Sequence, residues 1–247
     1  MMLRVMAIAL MLTTSAIAMD GAPWLPVMGA GLITPPTAGL VSHWDMSYSG
    51  STLYDIVGDN DGTLYNSPAF NAAYGVRDDG VWLQESSVQY FRANGLQNDF
   101  DPDSGTISMW VTIADFADTS AALFSWRYSD WFEAYYNGSD ILFRYGDGSN
   151  YITTPGDISD YFSEDEYAHL AFVWDNSGSG YKAIYINGSV AVDATGTWTS
   201  GSASSANYYF GYLVAVFAWD GYMDEIRLYD SPLDGSDINT LYIYDEP

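Results

Sequence analysis

The sequence predicts an all-β protein, an antiparallel two-sheet β-sandwich. Three observations lead there. Short segments of alternating apolar and polar residues recur along the chain, separated by turn signals such as Asn137-Gly138 and Asn187-Gly188. Aromatic residues make up 17% of the chain, with 21 Tyr and 9 Trp beside 23 Gly, a balance that suits pleated, half-buried surfaces. Tyr167–Asp175 is apolar at both parities, so it is expected to be a central strand covered on both faces.

The chain has 247 residues, enough for one large β-domain, and no cysteine, which excludes disulfides and thiolate metal sites. Acidic residues number 32 and basic residues 7, for a net charge of −25. That field repels nucleic-acid phosphates and anionic membranes, so no nucleic-acid partner is expected. It favours solubility and divalent cations, and its plainest reading is a solvated acidic surface.

Residues 1–18 have the form of a secretory leader. Arg4 supplies the positive end, Val5–Leu12 is apolar, and Ala16-Ile17-Ala18 fits an A-x-A cleavage site before Met19. The run is too short for a membrane span. The other reading of this segment is an apolar arm that docks outside its own domain. Residues 19–38 hold Pro23, Pro26, Pro35 and Pro36 with several glycines and read as a linker. The folded domain is expected over residues 39–247.

Within it, alternation marks strands at Val88–Phe91, Gly105–Val111, Ala122–Trp126, Trp131–Tyr136, Ile141–Tyr145, Tyr181–Ile186, Val190–Val192, Tyr208–Tyr212 and Gly221–Tyr229. On the last of these, period two places Tyr222, Asp224, Ile226 and Leu228 on one face and Met223, Glu225, Arg227 and Tyr229 on the other. Asp224 then lies on an apolar face and needs a partner, whereas Glu225 faces solvent or the second sheet's rim; a bulge near Gly221 would exchange the two faces. Pro232–Ile238 reads as a turn entering a short helix, with Ser236 as its cap.

Gly221–Tyr229 followed by Pro232–Ile238 resembles the closing segment of the laminin G-like jelly-roll family, within the concanavalin A-like lectin and glucanase superfamily. Gly39–Asp45 is similar to that family's opening strand, and Asp55–Leu64 to the turn that follows it. Gly105–Val111, Tyr167–Asp175, Tyr181–Gly188 and Tyr208–Tyr212 match further strands in order, so the resemblance covers about residues 39–243. It implies a jelly roll whose first and last strands pair, and a binding role, most often toward glycans.

Three kinds of site follow. Calcium is the cofactor to consider, since a hard cation takes six to eight oxygens. Asp55, Asp59, Asn60 and Asp61 offer these in one turn, and the family's strand pairing would bring Asp224 beside them. The same residues also build an Asx-rich turn without metal. Glycan contacts need exposed aromatic faces. Tyr128, Trp131, Tyr135, Tyr136, Tyr151, Trp198, Tyr208, Tyr209, Tyr212 and Trp219 are candidates, at least half of them expected in the core. Arg127, Tyr128, Trp131, Trp198 and Tyr208 are the preferred set, because no apolar stripe explains the loops they flank.

Glycoside hydrolysis needs a pair of carboxylates flanking the bond. The superfamily's hydrolases carry Glu-x-Asp-x-(x)-Glu on one strand, which is absent here. Glu164-Asp165-Glu166 is the nearest run and reads as an exposed loop. The two histidines, His43 and His169, are far apart, and no serine has a nucleophile-elbow context. The expectation is therefore a non-catalytic extracellular protein. It would decorate a virion or other surface assembly, as a homo-oligomer or with protein partners through residues 1–38, and bind surface polysaccharide. A freely secreted or cell-surface lectin is the alternative, and a glycoside hydrolase comes third.

Overall fold

The computed structural model describes residues 33–117, 120–127, 131–146, 150–199, 207–213 and 217–246. The leader and most of the linker lie outside them. In chain order the strands are β1 (Leu40–Trp44), β2 (Tyr48–Ser49), β3 (Thr52–Leu53), β4 (Gly62–Tyr65), β5 (Ala69–Asn71) and β6 (Gly80–Leu83). Next come β7 (Tyr90–Ala93), β8 (Ser104–Val111), β9 (Ala121–Arg127), β10 (Trp131–Tyr136), β11 (Ile141–Tyr145) and β12 (Asn150–Thr153). The remainder holds β13 (Ala168–Asp175), β14 (Tyr181–Ile186), β15 (Ser189–Thr195), β16 (Asn207–Phe210), β17 (Tyr212–Leu213), β18 (Phe217–Ala218) and β19 (Gly221–Tyr229), then helix α1 (Gly235–Asp245).

Two large antiparallel sheets form the sandwich. Sheet A runs β15-β14-β13-β8-β19-β6-β5, with β1 also paired to β19. Sheet B runs β12-β11-β10-β9-β16-β7-β4-β3-β2. Neighbours in sheet are often far apart in sequence, as expected of a jelly roll. The first and last strands do pair, with His43 opposite Arg227 and Trp44 opposite Ile226. Packing reaches slightly ahead of residue 39, since the Tyr229 hydroxyl donates to the Pro36 carbonyl at 3.0 Å.

Alternation explains the main core. Ile107, Met109 and Val111 of β8, Leu170, Phe172 and Trp174 of β13, and Phe91, Phe124, Phe132, Phe143 and Phe210 of sheet B fill the space between the sheets. A second apolar cluster lies on the other face of sheet A. There Ala171, Val173, Ala183, Tyr185 and Tyr229 meet Leu233, Ile238 and Leu241. The helix accounts for the double apolar pattern of β13, which is covered on both sides. It is longer than expected, and its cap is Asp234 rather than Ser236. The Asp234 carboxylate accepts from the N–H groups of Ser236 and Asp237, first-turn donors that have no carbonyl one turn back within the helix. The Asn187-Gly188 hairpin has φ +49° and +75°, the left-handed pair of a type I′ turn.

Strand β19 departs from simple alternation. Met223 pairs with Val111 and Asp224 with Trp110, but the next partners are Arg227 and Ser108. Glu225 and Ile226 together oppose Met109, and Glu225 sits at φ +50°. This β-bulge shifts the faces by one residue. Met223, Ile226 and Leu228 therefore join the core, while Asp224 moves to the opposite face with Arg227 and Tyr229. The expected grouping of Asp224 with Ile226 and Leu228, and the exposed Glu225, are both corrected: Glu225 is 5% exposed and Asp224 1%.

Candidate functional site

The outward face of sheet B carries a row of polar and aromatic side chains not used by the core. Pairing aligns them in one row. Thr63 is opposite Arg92, Arg92 opposite Tyr209, and Tyr209 opposite Ser125. Ser125 is opposite Glu133, Glu133 opposite Arg144, and Arg144 opposite Tyr151. The row crosses seven strands, or about 29 Å at the usual inter-strand spacing of about 4.8 Å, but its centre is covered: Ser125 is 3% exposed and Glu133 is fully buried. Alternation puts these residues outward because Phe91, Phe124, Phe132, Phe143 and Phe210, each adjacent to a row member, point into the core.

At one end of the row four tyrosines cluster. Tyr65 and Tyr90 stack with centroids 4.6 Å apart, and Tyr90 and Tyr212 stack at 4.4 Å. Tyr209 meets Tyr90 and Tyr212 edge-on at 5.7 and 5.5 Å. All four are half-buried. The β17–β18 hairpin lies over β9, anchored by Ser125 Oγ donating to the Tyr212 carbonyl at 2.6 Å. Tyr212 thereby lies beside the strand residues. At the middle of the row Arg144 Nη1 donates to Glu133 Oε1 at 2.9 Å, and Arg144 Nη2 donates to the Tyr135 hydroxyl at 3.0 Å. Burial raises the Tyr90, Tyr135 and Tyr209 phenols, so all three are neutral donors at physiological pH.

The preferred glycan set from sequence is placed differently. Tyr208 is 5% exposed and points inward, stacked on Trp126 at 5.8 Å and beside Phe100 at 5.3 Å. Trp198 is 7% exposed and packs edge-on against Tyr145 at 4.9 Å. Both are corrected to core residues. Tyr128 lies outside the described residues, as do the side chains of Arg127 and Trp131, whose backbones pair at the β9–β10 end. Of the wider aromatic list, Tyr136 and Trp219 are buried, while Tyr135, Tyr151, Tyr209 and Tyr212 belong to the outward face. Tyr65, Tyr90 and Arg92 were missed. Their signal was available: each alternates with Leu64, Phe91 or Ala93, and once β4 and β7 pair, the outward residues line up.

The donor set expected for calcium does not fit the ion. Asp55 Oδ1 accepts from the N–H groups of His43, Val57 and Gly58 at 2.9–3.1 Å, and Oδ2 accepts from Asn60 N–H at 3.2 Å. Asp61 Oδ1 accepts from Asp55 N–H at 2.9 Å, and the Asn60 amide donates to Ser42 Oγ and Asp99 Oδ2 at 2.9 Å. Asp59 is exposed. Asp224 is held elsewhere, accepting from Val76 N–H at 2.8 Å and Glu225 N–H at 2.7 Å. Among the described residues no group of three or more His, Asp or Glu side chains could hold a metal ion. The 55–62 segment is a hydrogen-bonded Asx turn in which N–H donors occupy the Asp55 carboxylate.

The remaining titratable groups have structural surroundings. Glu164 Oε1 accepts from Phe116 N–H and Glu166 Oε2 from Ser163 N–H, both in exposed loop positions. His169 is fully buried and hydrogen-bonded to Ser108 Oγ at 2.8 Å. Burial, with the nearby Arg227 charge, depresses its pKa to about 3. It is neutral and structural.

A family model for the concanavalin A-like lectin/glucanases superfamily, Laminin_G_3, matches residues 85–239, more than half of the chain. No curated protein matches. Among solved structures, a Trypanosoma rangeli sialidase in complex with the inhibitor DANA is similar with a TM-score of 0.66 at 18% identity, covering 89% of this chain and 34% of that one. The binding domain of Paraclostridial Mosquitocidal Protein 1 is similar at 0.67 and 16% identity, covering 83% of this chain and 52% of that one. The botulinum neurotoxin serotype D binding domain is similar at 0.65 and 14%, covering 83% and 51%. The chain thus spans a third to a half of these structures, and at such identities the likeness shows the fold alone. With the family model, the two antiparallel sheets and the paired first and last strands in agreement, this chain belongs to the laminin G-like family of the concanavalin A-like lectin/glucanase superfamily.

Proposed function

We propose that this domain is a non-catalytic, lectin-like module that binds glycans through the outward face of sheet B. The observation that carries the reading is the half-buried cluster of Tyr65, Tyr90, Tyr209 and Tyr212 beside Arg92 on that face. Stacked phenols offer apolar faces to sugar rings and hydroxyls to sugar hydroxyls. The family's lectin members, and neighbours titled as binding domains, support a binding role. A glycoside hydrolase of the common kind would need two flanking carboxylates. The row supplies only Glu133, buried and paired to Arg144.

The setting we propose is extracellular, as a decoration or adhesion component of a virion or other surface assembly, supported by the leader-like segment and the acidic exterior. The Ala16-Ile17-Ala18 site favours a freely secreted lectin as the second reading. N-terminal sequencing of native material separates them: retention of Met1 supports assembly, and a start at Met19 supports secretion. Glycan-array binding by the full chain tests the core reading. Glycan binding that Tyr90→Ala and Tyr209→Ala abolish is the expected result, and binding indifferent to both refutes the site.

A further inference from the structure

We propose that the outward face of sheet B selects glycans bearing isolated carboxylates, with the Arg92 guanidinium as the group that reads the charge. This rests on the glycan-binding reading above. The chain has 7 basic residues against 32 acidic ones. Where their side chains are described, the other cations are engaged within the protein. Arg77 donates to the Tyr244 carbonyl and Asp245, Arg144 to Glu133, Arg227 to Glu225 and Asp245, and Lys182 to the Gly196 carbonyl.

Arg92 differs from all of them. Its Nε donates to Asn94 Oδ1 at 3.2 Å. The Asn94 amide is itself fixed, donating to the Asp61 carbonyl and Thr63 Oγ1 at 2.9 Å each. Arg92 makes no ion pair among the described residues, and its two terminal nitrogens have no protein partner there. The group is half-buried, its Cζ 5.7 Å from the Tyr65 ring centroid, and it stands in the row directly opposite Tyr209. One edge of the guanidinium is thus oriented by the protein, while its fork has no partner among the described residues. A planar fork of this kind matches a carboxylate with two parallel hydrogen bonds.

The surrounding charge sets how dense the ligand's anions can be. A field of −25 repels a polyanion at long range, whereas a short-range fork-to-carboxylate contact survives screening. A ligand with separated carboxylates satisfies Arg92 and incurs little repulsion. A densely sulfated chain incurs far more, and a neutral glycan leaves the fork without its match.

The test uses the full chain and matched probes. Hexasaccharides of hyaluronan and unsulfated chondroitin, each with a carboxylate on every second sugar, are titrated beside the same sugars with carboxylates reduced to alcohols, and beside a heparin hexasaccharide. At least one acidic form should bind about tenfold or more tighter than its reduced counterpart, as charge-assisted bidentate pairing implies. Arg92→Gln should bring that ratio to near one, a change that general loosening of the site would not produce. Should Arg92→Gln fail to fold, Arg92→Lys replaces it, keeping the charge without the fork, and the ratio should fall severalfold. Equal binding of acidic and reduced forms, still abolished by Tyr90→Ala, overturns the charge selection and leaves the glycan reading standing. Tightest binding to heparin overturns the preference for isolated charges. No binding to any probe at millimolar concentration overturns the charge selection, while the glycan array decides the glycan reading.

Discussion

His43 Nε2 lies 2.8 Å from Glu225 Oε2, joining the first strand of the domain to the last across the face of sheet A beneath the C-terminal helix. The same Glu225 oxygen pairs with Arg227 Nη2, Arg227 Nη1 reaches Asp245 Oδ2 at 2.5 Å, and Arg77 closes the chain on Asp245 at 3.3 Å. Asp245 is fully buried in the last turn of α1. An acid there opposes the helix dipole, so its two arginines, rather than the helix, hold it. Burial pushes the Glu225 carboxyl up, but the His43 hydrogen bond and the Arg227 charge outweigh it and keep the group below its ordinary range. The bulge at Glu225 makes this possible, since without it the side chain would project to the other face.

Glu225→Ala removes the group that faces both His43 and Arg227. Breaking a buried pair from one side leaves an uncompensated charge and costs about 3 kcal/mol or more. Asp245 still meets Arg227, so the loss should stay near the low end. Chemical denaturation at neutral pH should place this variant well below wild type. A loss under about 0.5 kcal/mol, typical of an exposed residue, would refute the bulge and restore simple alternation.

Asp224 titrates oppositely. Burial dominates and pushes its carboxyl up to about 7, against the N–H groups of Val76, Glu225 and Arg77, while the Glu225 charge adds to the rise. The folded state therefore holds this proton more tightly than the unfolded chain, whose carboxyl titrates near 4. The contribution is fully present below about pH 4 and is lost as pH rises through about 7, up to about 4 kcal/mol in all. Asp224→Asn cannot titrate. Its stability should fall less between pH 4 and 8 than wild type's, and parallel pH profiles would show that Asp224 is ionised throughout.

The fold was legible because alternation is a local signal. Phe91, Phe124, Phe132, Phe143 and Phe210 each announce an inward position, and the double apolar pattern of Ala168–Trp174 announces cover on both faces. The bulge was not legible, because nothing in Asp224-Glu225-Ile226 marks a left-handed residue as Gly or Asn would. One inserted residue then exchanged the roles of Asp224 and Glu225. The site suffered similarly. Tyr208 and Tyr209 are chemically alike, and only the register of β16 against β7 and β9 says which of them leaves the core. The row itself depends on strands from distant parts of the chain, so no window of sequence contains it.

Asp55 is expected to act as a backbone organiser rather than a cation ligand. Its carboxylate accepts four N–H groups from His43, Val57, Gly58 and Asn60. Asp55→Ala should cost more than about 2 kcal/mol, because several part-buried donors lose their acceptor. Wild-type melting should be the same in calcium and in chelator. A melt that falls on chelation and recovers with calcium would show that the turn rearranges around an ion.

The pair Tyr208 and Tyr209 gives the sharpest test of the face assignment, since adjacent residues of one type are assigned opposite fates. Tyr208 is buried against Trp126 and Phe100, so Tyr208→Ala opens a core cavity and should cost about 3–5 kcal/mol. Its hydroxyl is buried with no hydrogen-bond partner among the described residues, so Tyr208→Phe should be neutral or stabilising, by up to about 1 kcal/mol. Tyr209 is half-buried on the outward face against Tyr90 and Tyr212. Tyr209→Ala loses two edge-on contacts and should cost only about 1 kcal/mol, while glycan affinity falls about tenfold or more, as for a central aromatic of a binding surface. Denaturation and glycan titration of the three variants separate the possibilities, because stability and affinity must move in different variants. If Tyr208→Phe, with its stability intact, lost affinity while Tyr209→Ala kept it, the register of β16 would be wrong by one residue, and the row from Thr63 to Tyr151 would dissolve with it.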